Sequence, residues 1–91
     1  VCMSFLYLHK AEGSECSATF HPGGTTKFHL HERVSSCNVY NWCADNTVVA
    51  NEENLNHTIV LSRDAHSITF TTCYDNVTYK SACNGKIINC P

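Results

Sequence analysis

The sequence predicts a small, mostly β fold of irregular hairpins with at most short helices, stapled by disulfides or by metal. Three observations lead there. Runs of β-branched and aromatic residues recur along the chain, in places with strict alternation. No apolar stripe at helical spacing continues for more than about two turns. Seven Cys and six His stand in a chain of 91 residues, a length at which only about 60–65% of the unfolded surface is buried, so packing alone leaves a marginal core.

Taken in order, Met3–His9 is the first strand-like run. Cys16–Glu32 reads as a hairpin, in which "ATFH" leads into the turn "PGGT" and "TTKFHLHE" leads out. In that second arm Thr26, Phe28 and Leu30 point one way and Lys27, His29 and His31 the other, as on a half-buried strand. Arg33–Cys43 can hold a short turn of helix. Thr47–Ala50, His57–Leu61 and Ser67–Cys73 follow as strands, Tyr79–Cys83 as a second helical turn, and Lys86–Ile88 as the last strand. No repeat, Pro-rich linker or run of like charge divides the chain, so residues 1–91 read as one Cys/His-rich domain.

Charge excludes some partners. The net charge is −2 with His neutral, and the six Lys and Arg are dispersed, which argues against a nucleic-acid or membrane surface. No apolar run approaches the roughly 18–20 residues of a membrane span, and Met3–Leu8 is too short for a complete signal peptide. A chain starting at Val1 is expected to be a mature secreted product. Two glycosylation triplets, Asn56-His57-Thr58 and Asn76-Val77-Thr78, fit a secretory route.

The cysteines admit two chemistries. Cys2, Cys16, Cys37, Cys43, Cys73, Cys83 and Cys90 are spread along the chain as in a disulfide scaffold, with fifteen connectivities for any six and one thiol left over. Structural zinc is the other, because a site that mixes thiolate with imidazole tolerates an odd Cys count. Proximity along the chain suggests three groups of four: Cys2, His9, Cys16 and His21; His29, His31, Cys37 and Cys43; His66, Cys73, Cys83 and Cys90. No C-x2-C or H-x3-H pair supplies a tight zinc knuckle. His29 and His31, two apart on a strand, share a face with Cα atoms about 7 Å apart.

No catalytic residues are expected. The nearest set to a nucleophile and its base is Asp64-Ala65-His66 near Cys73, which reads as a loop before a strand. A core this small leaves little room for an enclosed substrate pocket, so no small-molecule substrate is expected.

"CYDNVTYKSAC", Cys73–Cys83, resembles the middle of Kazal-type protease inhibitors through its Tyr79-x3-Cys83 half. The chain departs from that pattern on both sides. Only five residues separate Cys73 from Tyr79, Ala65 stands where the family tethers its protease-binding loop with a Cys, and six residues separate Cys83 from Cys90. A loop at His66–Thr72 without that tether carries extra ordering entropy on binding.

The Cys/His density, the small size and this degenerate Kazal-like pattern together resemble the rust-fungus avirulence effectors of the AvrP type. That resemblance implies a secreted fungal virulence protein, translocated into a host cell, that binds a host protein and is perceived by a plant immune receptor of the nucleotide-binding, leucine-rich-repeat kind. It also implies that zinc on Cys and His holds the fold. The alternative is a disulfide-stapled secreted protein, either a Kazal-like inhibitor or a small toxin.

Overall fold

The computed structural model describes residues 9–31, 38–74 and 76–91, and of His9 only the backbone. These residues form nine strands and no helix. They are β1 (His9–Glu12), β2 (Cys16–Phe20), β3 (Thr26–Leu30), β4 (Tyr40–Ala44), β5 (Thr47–Asn51), β6 (Val60–Arg63), β7 (Ser67–Phe70), β8 (Val77–Ser81) and β9 (Ile87–Asn89). All pairings are antiparallel: a five-stranded sheet in the order β1-β2-β3-β7-β6 and a four-stranded sheet in the order β5-β4-β8-β9. The fold is thus small, all-β and disulfide-stapled, as composition and alternation predict.

The β2–β3 hairpin forms where expected. Cys16 pairs with Leu30 and Phe20 with Thr26, and the turn closes through His21 N–H donating to Thr25 O at 2.9 Å and Gly24 N–H donating to His21 O at 3.1 Å. Gly23 and Gly24 have φ of 99° and 104°, a region that side chains disfavour, so this turn needs its two glycines.

Each sheet turns one face to a common core. The five-stranded sheet contributes Cys16, Ala18, Phe20, Phe28, Leu30, Val60, Ile68 and Phe70, and the four-stranded sheet Tyr40, Trp42, Ala44, Val49, Ala50, Val77, Tyr79 and Ile88. Burying a side chain such as Ile68 or Phe28 contributes about 1.5–3 kcal/mol. Each sheet supplies three aromatic rings: Phe28 meets Phe70 edge-on at 5.8 Å on the first, and Tyr40, Trp42 and Tyr79 cluster on the second. Tyr79 stacks on Tyr40 at 6.0 Å and meets Trp42 edge-on at 5.0 Å. The Trp42 indole N–H donates to Asp64 O at 3.0 Å, and the Arg63 guanidinium donates through Nε to Asn51 O at 2.9 Å, so both sheets are also joined by hydrogen bonds.

Both helical expectations are corrected. Of Arg33–Cys43, residues 40–43 lie in β4, residues 38–39 lead into it and the rest lies outside the described residues; Tyr79–Cys83 begins inside β8 and ends in a turn. The period is two: Tyr40, Trp42 and Ala44 face inward, as do Val77, Tyr79 and Ser81. What joins β4 to β5 is Asp45-Asn46, with φ of 50° and 65°, the two-residue hairpin turn that Asp and Asn favour. The run at His57–Leu61 joins a strand only from Val60, because Thr58 N–H donates to Asn56 Oδ1 at 3.0 Å and holds a turn before it. Ser67–Cys73 is strand only to Phe70, and Lys86–Ile88 appears as Ile87–Asn89. The expected strand at Met3–His9 lies outside the described residues except for His9, which opens β1.

Candidate functional site

The cysteines separate the two chemistries. Cys16 and Cys90 form a disulfide with Cα atoms 5.0 Å apart and 74 positions between them in sequence, tying β2 to the chain just beyond β9 and so one sheet to the other. Cys73 and Cys83 are also oxidised. Cys43 is a buried free thiol, while Cys2 and Cys37 lie outside the described residues. A sulfur in a disulfide presents no thiolate, so Cys16, Cys73, Cys83 and Cys90 do not fit as zinc ligands in this state.

The strands separate several residues that are neighbours along the chain. Cys16 starts β2 and His21 follows its far end, while the backbone of His9 pairs with Phe20. At about 3.3 Å per residue this puts Cys16 and His21 some 16 Å apart. His29 and His31 belong to one sheet and Cys43 to the other. His66 precedes β7 and Cys73 follows it, so they too sit at opposite ends of a strand. Among the described residues no three His, Cys, Asp or Glu side chains are grouped to hold a metal ion.

The pair His29 and His31 does come together. Their rings are 6.0 Å apart on the outer face of the five-stranded sheet. Register places Glu12 beside Ser17 and Ser17 beside His29 on that face. Ser17 Oγ donates to Glu12 Oε2 at 2.7 Å, His31 Nε2 is hydrogen-bonded to Ser17 Oγ, and His31 Nδ1 is 3.2 Å from Ser14 O. Ser17 has one hydroxyl proton. With that proton directed at Glu12, the serine oxygen is left as an acceptor, and the Glu12 carboxylate lies 3.8 Å from His31 Nε2. The serine is 3% exposed, so this contact ties β1, the loop before β2 and the end of β3 together and offers no accessible nucleophile.

The outer face of the four-stranded sheet is different. Its register sets Val48 beside Cys43, Cys43 beside Thr78, and Thr78 beside Asn89; the next row runs Asn51, Asn41, Lys80, Ile87. Val48 and Ile87 are 52% and 56% exposed, and Val39, two residues before Asn41, is 50% exposed. Three of the four large exposed apolar side chains among the described residues therefore belong to this face, spread over about 14 Å from β5 to β9. Cys43 lies among them by alternation yet is buried, outside the main core cluster. Sequence reading missed this face because β4 was read as helical. The Asp45-Asn46 turn is the signal that would have paired Cys43 with Val48.

Behind that face, burial raises the pKa of Tyr79, helped by Tyr40; Tyr40 is also raised, by burial first and by Asp64 and Glu52 against the opposing pull of Arg63.

The Kazal-like segment has another role here. Tyr79 is fully buried on the central strand β8, and His66–Thr72 contains β7, which is hydrogen-bonded to β3 on one side and β6 on the other. A strand paired on both edges cannot enter a protease cleft as an extended loop. Asp64-Ala65-His66 is a turn into that strand: Asp64 Oδ1 accepts from His66 N at 2.7 Å and Ser67 N at 2.8 Å. Compared with protein-family models, with curated proteins and with solved structures, the chain matches none of them.

Proposed function

We propose that this is a secreted, disulfide-stapled binding protein of the effector kind, which engages a host protein through the outer face of its four-stranded sheet. The observation that carries this reading is the oxidised state of Cys16, Cys90, Cys73 and Cys83, since disulfides persist in extracellular compartments and are rare in a reducing cytosol. The exposed apolar residues Val39, Val48 and Ile87, set among Asn41, Thr78, Lys80 and Asn89, give that face the mixed character of a protein-binding surface. Perception by a plant immune receptor is the part of the proposal that rests on resemblance alone.

Infiltrating the oxidised protein into leaves of plant lines that differ in their receptors tests the reading. A line-dependent response lost in the double variant Val48→Lys, Ile87→Lys is the expected result; an unchanged response in that variant rejects the surface. Zinc is tested on the same sample by alkylation without reductant, followed by intact mass. Seven modified thiols with released zinc would restore the metal-held fold. A single modified thiol without metal supports the staple.

A further inference from the structure

The chain carries two glycosylation triplets, and the fold treats them differently. Asn56 is exposed in the connection between β5 and β6. Its backbone is fully engaged: N–H donates to Val49 O at 2.8 Å, and its carbonyl accepts from Ile59 N at 3.1 Å and Val60 N at 2.8 Å. Its side-chain oxygen accepts from Thr58 N–H at 3.0 Å. Among the described residues Nδ2 has no hydrogen-bond partner, and Thr58 is exposed beside it. Asn76 is exposed as well, but its side-chain nitrogen is engaged. Its Nδ2 donates to Asp45 Oδ1 at 3.1 Å and its carbonyl accepts from Asp45 N at 3.3 Å, which ties β8 to the β4–β5 turn. Val77 is buried, and Thr78 is half-buried within β8.

From this difference we infer that Asn56, and not Asn76, carries an N-linked glycan. The inference rests on the secreted reading above. The sugar donor is an oligosaccharide on a lipid diphosphate: a bond forms between Asn56 Nδ2 and C1 of the first sugar, the bond from C1 to the diphosphate oxygen breaks, Nδ2 gives up one proton, and the lipid diphosphate leaves. Because the new bond is at nitrogen, Asn56 Oδ1 keeps its hydrogen bond from Thr58 and the turn into β6 is unchanged. At Asn76 the same bond would replace one of the two hydrogens on the nitrogen that now donates to Asp45 Oδ1. Asn56 also borders a shallow groove with Val48 and Leu55, so the first sugars lie beside the exposed end of β5.

The test is secretion of the full chain from a glycosylating eukaryotic host. Enzymatic release of glycans in heavy-oxygen water then marks each occupied Asn as a labelled Asp in peptide maps. Thr58→Ala and Thr78→Ala each delete one triplet while leaving both asparagines and the backbone bonds of Thr58 in place. The expected result is one glycan on the parent chain, none after Thr58→Ala and no change after Thr78→Ala. A bare Asn56 with the Cys16–Cys90 bond formed overturns the inference, as does a glycan on Asn76. A non-reducing map of the same sample separates the two readings: Cys16 and Cys90 recovered as free thiols reject the secreted scaffold itself, whichever asparagine is occupied.

Discussion

The two outer faces of this molecule obey the same period-two rule and end with different surfaces. On β3 of the five-stranded sheet the alternation is clean: Lys27 and His29 face out between buried Thr26, Phe28 and Leu30, and the polar groups at the β1 edge satisfy one another through Ser17; its other edge, β6, has a register shift between Val60 and Ser62 and leaves Leu61 58% exposed. On the four-stranded sheet it is not. Val39, Val48 and Ile87 face water, a bulge shifts the register between Trp42 and Cys43, and the free thiol lies beneath. The inner faces are alike in aromatic content, with Phe20, Phe28 and Phe70 on one sheet and Tyr40, Trp42 and Tyr79 on the other. The difference lies outside: the four-stranded sheet carries three of the four large exposed apolar side chains among the described residues.

The strongest way to break this contrast is Trp42→Ala. Removing a fully buried indole that also donates to Asp64 is expected to cost about 3–5 kcal/mol, read as a fall in the denaturant midpoint. Next comes the bond between the sheets. Replacing Cys16 and Cys90 together by Ala frees a loop with a sequence separation of 74, and the expected loss is about 4 kcal/mol on the chain-entropy account, with chelators having no effect.

Alkaline pH tests the aromatic cluster alone. Tyr40 and Tyr79 titrate above their usual 10.0 in the fold, so their contribution is fully present below pH 10 and is lost as pH rises through the folded values. Stability should therefore fall above pH 10, with phenolate absorbance from these two residues appearing only as the protein unfolds.

The two exteriors give the smallest effects. His31→Ala removes a partner from Ser17 and is expected to cost about 1 kcal/mol. Ile87→Lys should leave stability within about 0.5 kcal/mol while reducing binding. Equal stability losses at His31 and Ile87 would contradict the comparison between the faces.

Much of this was legible in advance, and the exceptions have reasons. The β2–β3 hairpin could be read because its alternation is strict and its turn contains two glycines. β4 and β8 are harder to read, because Val39 and Ala82 extend the apolar runs beyond the strand ends, Cys43 interrupts the alternation of β4, and Asp45-Asn46 is a hairpin turn without glycine. The grouping of candidate ligands rested on chain proximity, which says little in a β fold, where the first and last residues of a five-residue strand are about 13 Å apart.

The sequence by itself determined a small, mostly β, cysteine-stapled domain, since residue preference, alternation and Cys count are local properties of the chain. Only the tertiary structure decided which cysteines meet, that His31 joins Ser17 and Glu12 instead of a thiolate, and which sheet leaves valine and isoleucine exposed. Those outcomes depend on strand order and register, which bring Cys16 to Cys90 across 74 positions of sequence.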